Sequence, residues 1–248
     1  MKGKRFVLLL SLVLCLITAS ALAGLSSKTQ ESPANNKKQL PAEADKEQGP
    51  IADYLAPEPT DPQQHEKRKA RGKKYDKVLV PIDPTAAGLV QTTSSHWDMD
   101  LPPLPAKQSN LIVIGKVTDA QAFLSPSKAS VYSEFTICIE KVFKDDGVKP
   151  AALEERITAE RQGGRVRLPG GGMQRYEISG QGFPRGGGRY LFFLSRNEGE
   201  DKYFHILTAY ELRGGQVFPL DDVRLFKTYK GAEEASFLNE VQRAITSN

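Results

Sequence analysis

The chain has 248 residues, with 34 Lys and Arg against 30 Asp and Glu. Lys2, Lys4 and Arg5 lie in a leader that export would remove, leaving 31 basic against 30 acidic residues. A nearly neutral chain does not carry the clustered cations that neutralise phosphates, so nucleic acid is not an expected partner.

The leader is residues 1–23. A basic start is followed by an apolar run over 6–17, broken only by Ser11. Ser20-Ala21-Leu22-Ala23 then supplies the small residues that a signal peptidase accepts, with Gly24 as the new N-terminus. The run is too short for a good membrane span. Cys15 is no lipidation site, because Leu14 stands where a lipoprotein signal has a small residue. The expectation is an exported protein, periplasmic or extracellular. Cleavage removes Cys15 and leaves Cys138 without an intramolecular disulfide partner. Cys138 is then a packed strand residue, a reactive thiol or an intermolecular bridge.

Residues 24–77 are polar and dotted with Pro33, Pro41, Pro50, Pro57, Pro59 and Pro62. Such a stretch buries too little apolar surface to offset chain entropy, so it reads as a disordered tether. It ends in Lys67, Arg68, Lys69, Arg71, Lys73, Lys74 and Lys77, with only Glu66 and Asp76 as acids. That run is either a solvated spacer or a foothold on a membrane surface or an anionic envelope polymer. Residues 78–82 allow one short strand. The remainder of 78–108 is an extended, Pro-rich connection that includes Pro102-Pro103-Leu104-Pro105, a stiff polyproline-like spacer.

From residue 109 the texture changes to short apolar strands. Residues 111–117 are apolar on both faces, as in a core strand. Over 131–143, Phe135, Ile137 and Ile139 share one face, and Glu134, Thr136, Cys138 and Glu140 the other. Weaker strands are expected at 156–160, 165–168 and 174–179. The most apolar strand is 189–195. Strands at 203–213 and 216–220 flank Gly214-Gly215, a two-residue hairpin signal. Finally, 232–246 places Phe237, Leu238, Val241 and Ile245 on one helical stripe. The fold expected for 109–248 is mainly β: a small barrel or sandwich with a C-terminal amphipathic helix.

Three segments carry a resemblance. They are Val113-Ile114-Gly115-Lys116-Val117, residues 132–144 ending Glu140-Lys141-Val142-Phe143-Lys144, and Gly188-Arg189-Tyr190-Leu191-Phe192-Phe193-Leu194. Together they resemble the OB-fold barrel of netrin-type modules and tissue inhibitors of metalloproteinases, in the cysteine-free form of exported bacterial proteins. The resemblance implies an OB-like β-barrel over about 111–220. It does not carry over protease inhibition, which in that family needs an N-terminal cysteine to chelate the target zinc.

Gly180 to Gly186 is glycine-rich, but a dinucleotide loop opens a helix, whereas this one leads into a strand. His96, Asp98 and Asp100 are too few ligands for a zinc or calcium site. No cofactor and no metal are expected. A hydrolase of envelope material remains an alternative, with His205 and Glu177 or Asp221 as participants, and a purely structural spacer is another.

Between Lys149 and Lys202 there are eight arginines and no lysine. Arg165, Arg167, Arg175, Arg185 and Arg189, with Tyr176 and Phe183, are the candidate ligand-binding residues. Arginine's planar fork suits carboxylate and phosphate groups and stacks on aromatics such as Tyr176 and Phe183. The expected partner is an acidic glycan or an acidic envelope protein. The plain alternative is strand-face arginines that pair with Glu154, Glu155, Glu160 and Glu177.

Overall fold

The computed structural model describes residues 49–76, 82–88, 100–197, 199–200 and 202–247, and the backbone of 90–96. The expected leader over 1–23, the expected tether up to residue 48 and all but the last residue of the possible strand at 78–82 lie outside them.

The described chain is mainly β. A six-stranded sheet has the order β10-β9-β5-β4-β3-β8, and β8 also pairs with β9. Its strands are β3 (Leu111–Leu124), β4 (Val131–Asp145), β5 (Arg156–Gln162), β8 (Arg189–Arg196), β9 (Tyr203–Arg213) and β10 (Gln216–Pro219). All neighbours are antiparallel except β5 and β9, which run parallel. A second sheet has the order β1-β6-β7-β2, built from β1 (Ile51–Asp53), β6 (Gly164–Arg167), β7 (Met173–Ser179) and β2 (Val90–His96). Helix α1 (Pro62–Lys73) precedes β2, and α2 (Glu234–Thr246) ends the domain.

The apolar strands sort into two cores because alternate residues face opposite ways. On β3 and β8, Leu111, Val113, Phe192 and Leu194 point into one core with Phe135, Ile137, Ile139 and Phe204. Ile112, Ile114, Leu191 and Phe193 point into the other, which α2 covers with Phe237 and Val241. This is why residues 111–117 read as apolar on both faces. Gly115 lets β3 and β4 close up, since a Cβ there would stand 2.4 Å from Ile137 Cγ2 and 2.9 Å from the Cys138 carbonyl oxygen. A third core, with Ala52, Ala122, Val131, Val166 and Tyr176, lies beneath the four-stranded sheet.

Local chemistry sets the ends of the C-terminal pieces. The β9–β10 hairpin turns at Gly214 and Gly215, with φ of +60° and +74°. That left-handed geometry matches the twist of the flanking strands and suits glycine. Glu233 caps α2 by accepting from the Ala235 and Ser236 amides.

Two stretches form regular elements where the sequence pattern suggested none. Residues 49–76 end the stretch read as a disordered tether, yet here they form β1 and α1. Asp61 caps α1 through the Gln63 amide, and Pro62 occupies its first turn. Only Gly72 of the helix is buried. Its hold comes from ion pairs and aromatic stacking rather than an apolar stripe, so hydrophobic patterning does not reveal it. Likewise the connection over 78–108 contains β2, which pairs in parallel with β7 from Val90↔Met173 to His96↔Ser179.

Candidate functional site

The β6–β7 hairpin places arginines side by side. Arg165 pairs across strands with Arg175, and Arg167 with Met173. On the other edge, β1 sets Asp53 beside Arg167. Ala52, Val166 and Tyr176 alternate with these positions and fill the core beneath. Arg165, Arg167, Arg175, Asp53 and Glu177 therefore share the opposite face. Arg165 is buried and donates from Nε to the Gly49 carbonyl at 3.1 Å. Arg175 pairs with Glu177. Desolvation, and then the charge of Arg165, push the Arg175 guanidinium below its usual value.

The other candidates lie elsewhere. Tyr176 and Phe183 are buried, at 7% and 6% exposure, so their ring faces serve packing. Phe183 sits 6.4 Å from Phe135, centroid to centroid. Arg185 donates to both oxygens of Glu211 at 2.7 Å, at the edge of a cleft of about 250 Å³ lined by Phe183, Tyr190 and Leu220. Arg189 donates to Glu140 and Glu234, each at 2.8 Å, tying β8 to β4 and α2. The structure thus brings Arg165, Arg167 and Arg175 together, and holds Arg185 and Arg189 in separate ion pairs. Of the carboxylates expected to pair with this arginine run, Glu177 does so. Glu211, Glu140 and Glu234 come from distant segments.

The groups named for hydrolysis do not converge. Asp221 is fully buried on Arg161, Glu177 is held by Arg175, and His205 faces Glu160, with Nδ1 to Oε1 at 4.0 Å. Burial first, then the charges of Arg161 and Lys74, lower His205 to about 3 and keep it neutral. Among the described residues no three His, Cys, Asp or Glu side chains group to hold a metal ion. Asp98 lies outside the described residues, and of His96 only the backbone is described. No described helix is long and apolar enough to cross a membrane.

A second polar cluster was not legible in the sequence. The end of α1 sits on the six-stranded sheet beside a cleft of about 320 Å³ lined by Arg71, Lys74, Asn197, Glu200 and Tyr203. Arg71 forks onto Glu200 through Nε at 2.8 Å and Nη2 at 2.5 Å. Its guanidinium stacks 3.9 Å from the Tyr203 ring centroid. Lys74 pairs with Glu160, a fully buried carboxylate. Desolvation lowers Lys74 to about 8. Tyr75 stacks on Tyr132 with centroids 5.0 Å apart, and Asp76 accepts from the Ser127 amide and hydroxyl at 3.0 and 2.7 Å. The sequence showed the basic run that supplies this cluster, but its acidic partners lie 63 and 129 residues from Arg71.

No protein-family model matches this chain, and no curated protein matches it.

Proposed function

We propose that this is an exported interaction module of the cell envelope that binds an acidic glycan or an acidic protein partner. The binding surface is the face of the β1-β6-β7-β2 sheet on which Arg167 is exposed and Arg175 half-buried, with Arg165 buried next to Arg175 on the same face. The observation that carries the reading is the direct cross-strand apposition of Arg165 and Arg175. Arg167 beside that pair is exposed and Arg175 within it half-buried, and a planar guanidinium offers the paired donors that a carboxylate accepts. Asp53 and Glu177 on the same face leave it with a small positive excess. The leader over residues 1–23 supports export. The ring of pairings β3-β4-β5-β9-β8-β3 supports an OB-like barrel as scaffold. Lys67, Lys69 and Lys73 stay exposed on α1 and offer a further contact to an anionic polymer or membrane surface.

The test is retention of the full mature chain on immobilised polygalacturonate at low salt, comparing wild type with Arg167→Glu, Arg175→Gln and an exposed control, Arg224→Glu. Both sheet-face variants elute earlier, while the control elutes with wild type. Equal retention of all four proteins overturns this reading.

A further inference from the structure

In the cluster under α1 three carboxylates share two cations in direct contact, and the hydrogen bonds identify where a proton sits. The Tyr203 hydroxyl lies 2.9 Å from Glu134 Oε1 and 2.6 Å from Glu160 Oε2. A phenol has a single proton to donate and otherwise only accepts. It therefore donates to one of the two carboxyl groups, and the other must bring a proton of its own. Glu160 is the ionised member, because it also accepts from the Lys74 ammonium and from Asn197 Nδ2 at 3.1 Å. Glu134 has a weaker claim on cationic charge. Arg71 Nη1 stands 3.4 Å from each of its oxygens, while Nε and Nη2 of the same guanidinium are committed to Glu200. The charge balance agrees: Arg71 and Lys74 face Glu134, Glu160 and Glu200.

We propose that Glu134 carries a proton which locks α1 onto the sheet, so that the helix is released as pH rises. Ionising Glu134 sets two carboxylates on one phenol and three carboxylates against two cations. Release frees Arg71 and Lys74 to join Lys67, Lys69 and Lys73 as available cations. The inference stands independently of the sheet-face reading.

Every element around Glu134 contributes groups that bear on this titration. From α1 and the residues after it come Arg68, Arg71, Lys74 and Tyr75, and Lys67 acts on Glu200. Arg68 stacks on Phe123 at 4.5 Å and acts at longer range. From β5 comes Glu160, and from β9 come Tyr203 and His205. Tyr132 lies two residues away on β4, and Gln121 stands opposite on β3. Asn197 and Glu200 complete the set from the connection between β8 and β9. Burial raises Glu134 above its ordinary value, while Arg71, the Tyr203 hydrogen bond and Arg68 oppose the rise. A carboxyl raised in the docked state contributes its full share below the ordinary value and loses it as pH climbs through the raised one. His205 and Lys74 are both lowered, so they act with the opposite sign, and His205 does so at lower pH.

Hydrogen exchange of residues 62–76 in the full mature chain, corrected for intrinsic rates, tests the lock from pH 4 to 9. Wild-type protection falls about tenfold per pH unit between the ordinary glutamate value and the raised one. In Glu134→Gln, which keeps a neutral group of the same shape, the fall is absent and any remaining slope is a rise set by His205 and Lys74, while His205→Gln keeps the fall or steepens it. Level protection in wild type, or an unchanged fall in Glu134→Gln, overturns the proposal. Carboxyl ¹³C titration of wild-type protein gives a reading that needs no variant. One glutamate titrates above the ordinary range, and finding none there also overturns it.

Discussion

Arg161 and Asp221 meet as a fully buried bidentate pair, with Nη1 to Oδ1 at 2.6 Å and Nη2 to Oδ2 at 2.9 Å. The pair is well supplied with further bonds. Asp221 accepts from the Thr208 hydroxyl at 2.7 Å and the Gly182 amide at 2.9 Å, and Arg161 donates to the Leu207 carbonyl at 3.2 Å. One ion pair thereby joins β5, β9, the glycine-rich loop after β7 and the segment after β10.

Removing one partner strands a buried charge. Asp221→Asn is expected to lower unfolding stability by about 3–5 kcal/mol. Urea unfolding followed by circular dichroism measures the loss. The double change Arg161→Met with Asp221→Leu recovers part of it: no charge is left without a counter-charge, but the Thr208 hydroxyl, the Gly182 amide and the Leu207 carbonyl lose these partners.

Gly115 is a packing requirement between β3 and β4. Gly115→Ala drives a methyl group into Ile137 and the Cys138 carbonyl, and overpacking of this kind costs about 1–3 kcal/mol. A lowered melting temperature is the readout. Gly171→Ala is a poor control because its φ of +85° adds backbone strain, whereas the open site at Gly186 has neither a close contact nor a left-handed backbone.

Phe237 anchors α2 over the second core, 4.9 Å from the Tyr210 ring centroid and 5.0 Å from that of Tyr229. Truncation to alanine is expected to destabilise by about 3–5 kcal/mol. Proteolysis within residues 234–246 should then begin at denaturant concentrations that leave the wild-type helix intact.

His205 gives stability a defined acid dependence. Its folded-state value is lowered from 6.5 to about 3, chiefly by burial, although 28% of the side chain keeps contact with water. Between pH 3 and 6.5 the unfolded chain binds a proton that the folded chain does not. Stability from this group therefore falls as pH drops through that window. Across it the wild-type urea midpoint falls, as pH drops, relative to that of His205→Gln, whatever slope Glu134 and the other carboxyls add to both proteins. An identical slope in the variant shows that other groups set the acid limit.

Much of the β architecture was legible in the sequence because its information is local. The 131–143 alternation put Phe135, Ile137 and Ile139 on the buried face, and Gly214-Gly215 marked the hairpin. The stripe through Phe237 and Val241 revealed α2. The candidate site was legible in part. A spacing of two residues puts Arg165 and Arg167 on one strand face, yet only the β6–β7 register set Arg175 opposite Arg165. The same alternation turned Tyr176 inward, and packing buried Phe183.

By itself the sequence determined the strand periods, the turn at paired glycines, the amphipathic final helix and the abundance of arginine over lysine between residues 149 and 202. These follow from backbone geometry and side-chain chemistry within a few residues. Tertiary structure alone decided that α1 is ordered, that Arg161 meets Asp221, and that Glu134 and Glu160 share the Tyr203 hydroxyl. Such pairings hold charges whose positions in the chain are up to 129 residues apart, as Arg71 and Glu200 are. Hydrophobic periodicity carries no record of them, because each side chain taken alone is an ordinary solvated charge. Only burial beside a particular counter-charge makes it structural.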